Sequence, residues 1–196
     1  MLDEIRTYLD QVSDLVLQTP PESIRSITQI ILDAYGRGST VFVFGNGGGS
    51  ATSAHFVCDL AKGTAMEGRP RLKALSLSEN MPLMTAWAND TDYTNTFGEQ
   101  LRNLVEEGDI VIGLSGSGMS PNVINAFQVA SEAGAFPILL SGFRGGRAVE
   151  VARESIVVPS NDMQQIEDVH LMLCHIIFRC VREGIRNGGR PGSDQG

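Results

Sequence analysis

Short apolar segments alternate with helix-forming segments along most of this chain, and this alternation limits the possible folds more than any other feature. Five segments have the composition of buried strands, although Lys73 and Ser76 interrupt the second: residues 41–44, 72–77, 110–114, 138–140 and 156–158. Helical stretches of about ten to fifteen residues lie between most of them. Crossover helices force parallel strands and cover both faces of the sheet. The sequence therefore predicts an α/β fold with a doubly wound, five-stranded parallel sheet.

Amphipathic helices are predicted at both ends of the chain. Residues 1–18 repeat apolar side chains at about 3.6-residue spacing. Pro20 then ends this pattern, because proline has no amide hydrogen for a continuing helix. A second helix is predicted for residues 21–36. The last long helix, residues 164–185, has apolar side chains on most sides, which is typical of a helix buried between layers or subunits.

The charge of the chain excludes some classes of partner. A formal net charge of −8 and a pI near 4.8 would repel a nucleic-acid backbone, so we expect no direct nucleic-acid binding. No apolar run approaches the roughly 18 residues of a membrane span, and the acidic start is unlike a secretory signal. We therefore expect a cytoplasmic protein with no membrane partner. The three cysteines do not resemble a disulfide framework, which fits a reducing compartment.

Two loops that follow predicted strands are candidates for a ligand site. Ligands of open parallel sheets bind at the carboxyl ends of the strands, where helix N-termini offer free amides. The glycine loop, residues 45–50, contains four glycines, which let backbone amides approach a ligand closely. The serine turn, residues 115–120, groups three hydroxyls at the start of a helix and lacks the P-loop and dinucleotide motifs. The structural alternatives are a tight turn for the glycine loop and an ordinary helix cap for the serine turn. Because both loops follow strands at the same edge of the sheet, together they predict an anion site.

Five motifs resemble those of one enzyme family in order and spacing. They are the glycine loop, His55, Asn89 with Asp90, the serine turn with Pro121, Asn122 and Val123, and residues 167–170 with His175. The chain resembles the sugar isomerase (SIS) family, and within it the phosphoheptose isomerases. The resemblance implies a flavodoxin-like SIS fold over residues 36–187. The sequence pattern predicts helices for packing or oligomerisation over residues 1–35 and a flexible, glycine-rich tail over residues 188–196.

The resemblance also implies an activity and a set of site residues. The reaction would convert sedoheptulose 7-phosphate to D-glycero-D-manno-heptose 7-phosphate, in a homotetramer with a divalent metal, usually zinc, at sites between subunits. The implied metal ligands are His55, Asp59, Glu167 and His175, with Asp59 as catalytic base and His175 as catalytic acid. The implied substrate-binding residues are Asn46, Gly47, Gly48, Asn89, Asp90, Ser115, Gly116, Ser117, Ser120 and Glu167.

Helix geometry tests the implied metal set. His55 and Asp59 are four residues apart, so they share one face of a predicted helix. Glu167 and His175 are eight apart, about 12 Å along a helix axis. Either two subunits supply the ligands or the implied set is partly wrong. The local alternatives to this pair are Glu167 with His170 and Cys174 beside His175. Cys58, three residues after His55, is near enough in sequence to reach the same metal, but we expect it to be a buried helix residue.

The chain departs from the family pattern at two ligand positions. Asp59 stands where the family has glutamate, and Glu167 stands where it has glutamine. A noncatalytic SIS protein, either a replication-initiator partner or a sugar-phosphate sensor, is the alternative function. We expect an enzyme, because a binding module has no need of the acid and imidazole groups.

Overall fold

A five-stranded parallel sheet forms the centre of the protein, in a computed structural model that describes residues 1–188. Its strands are β1 Thr40–Gly45, β2 Lys73–Ser76, β3 Ile110–Ser115, β4 Phe136–Ser141 and β5 Glu154–Val157. All four pairings are parallel, in the order β2-β1-β3-β4-β5. The predicted α/β class and its five-stranded parallel sheet are confirmed. The strand order reverses between β1 and β3, which is where ligands bind in doubly wound sheets.

Helices cover both faces of this sheet. They are α1 Leu2–Gln18, α2 Pro21–Arg37, α3 Gly48–Cys58, α4 Met81–Asp90, α5 Gly98–Leu104, α6 Pro121–Glu132, α7 Ala148–Val151 and α8 Met163–Arg186. The predictions for the first two helices and the last one agree with these bounds to within one residue. Gly38, with a φ of 75°, ends α2 in the left-handed conformation that glycine adopts without strain.

The strands place alternate side chains in two hydrophobic clusters. Val41 and Val43 pack on the face covered by α2 and α8, whereas Phe42 and Phe44 pack on the face covered by α5 and α6. This division follows from the two-residue period of a strand. Ile31 of α2 belongs to the first cluster and is fully buried. The N-terminal helices therefore share a core with the sheet, and the division of the chain at residues 35 and 36 stays a prediction.

The second strand is shorter than residues 72–77, for which it was predicted. β2 lies at the edge of the sheet, and both Lys73 and Leu75 are exposed there. An edge strand has one neighbour and tolerates polar side chains, which explains its irregular sequence. Residues 189–196, most of the predicted tail, lie outside the described residues. Among the helices of residues 1–188, none has the length and apolar composition needed to cross a membrane.

Candidate active site

The glycine loop and the serine turn meet at the carboxyl edge of the sheet. They follow β1 and β3, which are paired neighbours, so the two loops lie side by side. With the start of α8 they enclose a cleft of about 240 Å³. The predicted site residues that line it are Asn46, Gly47, Gly48, Ser115, Gly116, Ser117, Ser120 and Glu167. The structure therefore brings together eight of the ten residues that were predicted to bind substrate.

The serine turn is held by a glycine that no other residue can replace without strain. The Gly118 amide donates to the Ser115 carbonyl oxygen at 2.9 Å, and the φ of Gly118 is 63°. A Cβ atom at this position would overlap the carbonyl oxygen of Gly145 in the loop after β4. The Ala148 amide donates to the Gly118 carbonyl oxygen at 2.8 Å. The turn is thus fixed against that loop, with its hydroxyls at the cleft.

The hydroxyls of the serine turn do not act as an ordinary helix cap. Ser120 is the N-cap residue of α6, but its side chain makes no capping hydrogen bond. It accepts a hydrogen bond from Ser115 Oγ at 3.2 Å. Ser117 Oγ accepts from the Met119 amide at 3.2 Å. These hydroxyls line the cleft beside the N-terminus of α6, where the helix dipole favours an anion.

A pair of side-chain amides ties the glycine loop to α6. Asn46 Nδ2 donates to Asn122 Oδ1, and Asn122 Nδ2 donates to Asn46 Oδ1, both at 2.9 Å. The Tyr93 hydroxyl also donates to Asn46 Oδ1 at 2.9 Å. Sequence reasoning gave no role to Asn122, which is only 1% exposed, or to Tyr93. The available signal was an asparagine in the first turn of the helix that follows the serine turn, at a position that the family motif includes.

A second group of polar side chains joins α3 to α8. His55 lies in α3, Asp59 begins the π-helical turn Asp59–Gly63 that follows it, and His175 lies in α8. The Nε2 atoms of His55 and His175 are 3.4 Å apart. Asp59 Oδ2 lies 3.9 Å from His55 Nε2 and 3.7 Å from His175 Nε2. We call these three residues the His–Asp–His group.

The His–Asp–His group fits a divalent metal ion. One ligand atom from each residue lies within 4.8 Å of the other two. Around a tetrahedral zinc ion with bonds of about 2.0–2.2 Å, ligand atoms are separated by roughly 3.3–3.6 Å. Two imidazoles and a carboxylate are ordinary zinc ligands, and catalytic zinc sites commonly have three protein ligands and an open position. The structure agrees with the prediction that His55 and Asp59 share one helix face. It also brings His175 next to both of them.

Glu167 lies apart from this group within the single chain. It lines the cleft, where its carboxylate packs so closely on Gly48 that a Cβ atom there would overlap it. Among residues 1–188, the possible metal ligands that converge are His55, Asp59 and His175, and Glu167 is not one of them. Its position agrees with the predicted substrate contact. Both predicted roles of Glu167, as substrate contact and as metal ligand, stay predictions.

The alternative ligands also lie outside the His–Asp–His group of residues 1–188. His170 Nε2 is 3.1 Å from the Ser141 carbonyl oxygen, and burial, partly opposed by that hydrogen bond, lowers the pKa of His170 to about 4. Burial, with a smaller effect from Asp59, raises the pKa of the Cys174 thiol, so the thiol stays protonated. Cys58 is exposed, and the interpretation of it as a buried helix residue is wrong.

Asn89 and Asp90 lie away from the cleft in a single chain. They are the last two residues of α4, both are exposed, and Asn89 Nδ2 donates to Asp90 Oδ1 at 2.8 Å. Neither belongs to the residues that line the cleft in the described part of the chain. Their predicted contact with the sugar stays a prediction.

The sequence of this chain is similar to those of one known protein family. Residues 3–142 match a family model described as SIS domain. A phosphoheptose isomerase from Thermodesulfovibrio yellowstonii is 36% identical over 160 residues, which cover 82% of this chain and 79% of that protein. One from a Geobacter species is 35% identical over 184 residues, which cover 92% and 95%.

A solved structure has the same fold. It is that of phosphoheptose isomerase GmhA from Neisseria gonorrhoeae, which matches with a TM-score of 0.86 at 24% identity. The match covers 93% of this chain and 98% of that chain. The sheet with its N-terminal helices is thus an architecture that both proteins share.

Proposed function

Because the chain belongs to the SIS domain family and is a sugar-phosphate isomerase, we propose that it converts sedoheptulose 7-phosphate to D-glycero-D-manno-heptose 7-phosphate. The observation that carries this proposal is the convergence of His55, Asp59 and His175, which a module that only binds sugar phosphates does not need. The heptose substrate comes from the names of the relatives. The noncatalytic alternative has no comparable observation in its favour.

The phosphate group of the substrate binds at the serine turn in this proposal. The hydroxyls of Ser115, Ser117 and Ser120 line the cleft beside the N-terminus of α6. Hydroxyl groups, backbone amides and the positive end of the helix dipole hold phosphate in many proteins without a lysine. Glycine in the facing loop leaves room for the ligand next to the backbone.

The conversion of a ketose to an aldose moves one carbon-bound proton and one hydroxyl proton. The Asp59 carboxylate removes a proton from C1 and returns it to C2, which makes and consumes an enediolate. His175 transfers the hydroxyl proton between O1 and O2 through a ring nitrogen that does not bind the cation. His55, Asp59 and His175 would hold the divalent cation, which we propose is zinc. When bound, the cation supplies electrostatic stabilisation of the negative charge that develops during the reaction.

The complete site requires more than one subunit in this proposal. Glu167 and His175 lie in the same helix, about 12 Å apart along its axis, and Asn89 and Asp90 lie away from the cleft. We propose a homotetramer whose neighbouring subunits complete each site. The exposed apolar side chains of α1, with Leu2 70% and Leu9 62% exposed, support burial against another subunit. The three free cysteines support our proposal of a cytoplasmic location.

A metal analysis combined with an isomerase assay tests the proposal. Purified protein is expected to contain a divalent metal, to convert sedoheptulose 7-phosphate to an aldose phosphate, and to lose rate on chelation and regain it with zinc. Cys180→Ser, a change at an exposed position of α8 outside the His–Asp–His group, is the matched control and should keep both metal and rate. No turnover of any five- to seven-carbon ketose phosphate by metal-loaded protein would contradict the proposed activity.

A further inference from the structure

A buried histidine forms part of the cleft wall and has no role in the reaction described above. His170 lies in α8, one turn after Glu167, and both residues line the cleft with the serine turn. The residue is only 3% exposed. A buried polar side chain usually has partners for its hydrogen-bonding atoms. The partners of the two ring nitrogens therefore indicate what this side chain does.

The tautomer of His170 follows from its one hydrogen bond. Its Nε2 atom is 3.1 Å from the carbonyl oxygen of Ser141, the last residue of β4. A carbonyl oxygen only accepts hydrogen bonds, so Nε2 must carry the proton and donate. A neutral imidazole has one donor and one acceptor nitrogen. Nδ1 is therefore an acceptor with an available lone pair.

The acceptor nitrogen of His170 opens to the cleft. Within residues 1–188, Nδ1 has no hydrogen-bond partner. It is also not one of the unpaired polar atoms that are shielded from solvent. It therefore has contact with solvent. Since the ring is otherwise buried and lines the cleft, that contact is through the cleft. Because its pKa is lowered to about 4, the ring stays neutral near pH 7 and Nδ1 stays an acceptor.

The cleft thus has hydrogen-bond donors on one wall and acceptors on the other. The serine turn and the N-terminus of α6 favour an anion. Glu167 and His170 Nδ1, on the other wall, accept hydrogen bonds and disfavour an anion. We propose that His170 Nδ1 accepts a hydrogen bond from a sugar hydroxyl group, and so orients a polyhydroxylated phosphate ester between the two walls. This inference rests on the proposed function, because it assumes that the phosphate group binds at the serine turn.

Two variants of His170 separate this role from a purely structural one. In His170→Gln, the side-chain amide reaches the Nε2 position, so it keeps a donor for Ser141 and loses the acceptor at Nδ1. In His170→Asn, the amide oxygen takes the Nδ1 position, so the variant keeps the acceptor and loses the bond to Ser141. If His170 served only to anchor β4, the glutamine variant would be harmless and the asparagine variant damaging.

Calorimetric titration of the metal-loaded protein provides the test. The two probes are a heptitol 7-phosphate, which lacks the carbonyl group and cannot be isomerised, and inorganic phosphate. We expect His170→Gln to weaken heptitol phosphate binding by roughly five- to tenfold, the usual value of one hydrogen bond, without changing the affinity for inorganic phosphate. His170→Asn should bind both probes within about threefold of wild type. The Ser117→Ala, Ser120→Ala double variant should lose affinity for both.

The outcomes distinguish this inference from the proposed function. The wild-type protein could bind and turn over its substrate while His170→Gln keeps an unchanged affinity for heptitol phosphate. That result would overturn the inference and leave the proposed function standing. So would equal losses for both probes in both His170 variants, since these would indicate general damage to the cleft. Failure of the wild-type protein to bind either probe or to turn over any ketose phosphate would overturn the proposed function and the inference together.

Discussion

Two histidines that are 120 residues apart in sequence lie next to each other in the folded chain. The Nε2 atoms of His55 and His175 lie 3.4 Å apart, and both face Asp59. Two imidazole nitrogens and a carboxylate oxygen at these separations form a ligand set that divalent zinc takes in many proteins. The positions of these three side chains therefore suit metal binding better than a structural ion pair.

His175→Ala is expected to slow isomerisation strongly and to lower the metal content of the purified protein. The change removes a proposed acid and one of three proposed ligands, so we expect kcat/KM to fall by about 100-fold or more. Steady-state kinetics and a metal-to-protein ratio measure the two effects. If this variant keeps the kcat/KM and the metal content of the wild-type protein, the His–Asp–His group is not the reaction centre.

Burial of His170 is expected to make the stability of the protein depend on pH. Its pKa is about 4 in the folded protein and about 6.5 when the chain is unfolded. The unfolded state therefore takes up a proton first, and the free energy of unfolding should fall as the pH drops from about 6.5 to 4, by at most about 3 kcal/mol. Denaturant unfolding of wild type and His170→Gln at several pH values isolates this effect. Parallel profiles for the two proteins would contradict it.

Two helix ends determine how the polar side chains are presented. The π-helical turn after α3 carries Asp59, and it approaches α8 at Gly63, where a Cβ atom would lie 2.6 Å from the Phe178 ring. Such π-turns are frequent at functional sites. The start of α6 carries the serine turn, which depends on Gly118 in the same way. Close approaches of the backbone at these two positions hold the His–Asp–His group and the serine turn in place.

Gly118→Ala is expected to disrupt the serine turn, where we propose that the phosphate group binds. The new Cβ atom would overlap backbone at a positive φ, so we expect a loss of about 1–3 kcal/mol in the free energy of unfolding. Phosphate affinity should fall by roughly tenfold or more, because the displaced turn no longer aligns its hydroxyls. Unfolding and phosphate titrations measure both effects.

Gly36→Ala is the matched control for that change. Gly36 lies inside α2, has no positive φ, and has no atom within 4 Å of the point that a Cβ atom would occupy. The alanine should leave phosphate affinity unchanged and stabilise the helix slightly, because it restricts the unfolded chain. Equal phosphate affinities for the Gly118 and Gly36 variants would show that the serine turn does not bind the phosphate.

At the scale of the whole molecule, the exposed side of α1 is the feature that a single chain leaves unexplained. Leu2, Ile5 and Leu9 are 70%, 50% and 62% exposed and lie near one side of the helix. Water contact with a row of large apolar side chains is unfavourable, and burial against another copy would remove it. This arrangement fits the proposed homotetramer, whose neighbouring subunits would also complete each site.

Leu9→Gln is expected to weaken that assembly. The polar side chain would be buried at an apolar contact without an assured partner, so the tetramer should dissociate at higher protein concentrations than in wild type. Turnover should fall in parallel, since separated subunits lack a complete site. Analytical ultracentrifugation with assays at matched concentrations measures both. Asp10→Gln, at the next position but on another side of α1, is the control, and equal assembly of the two variants would contradict the expectation.

The fold was largely predictable from the sequence because its signals are local. The apolar strands, the three long helices at the chain ends and the glycine- and serine-rich loops each depend on side-chain period and turn chemistry over a few residues. Crossover helices make the strands parallel, but the pairing of β1 with β3 is decided by tertiary packing. β2 was predicted less accurately, since an edge strand has one exposed side and a weaker apolar pattern.

The site was only partly predictable, because its geometry depends on residues that are far apart in sequence. Spacing placed His55 and Asp59 on one helix face, and the family resemblance supplied His175. The packing of α3 on α8 then decided that these three side chains converge while Glu167 faces the cleft. The hydrogen bond from His170 to Ser141 likewise depends on how α8 crosses the end of β4. Local sequence determines the elements and loops of this protein, whereas only tertiary packing sets the distances and burial that give its polar side chains their chemistry.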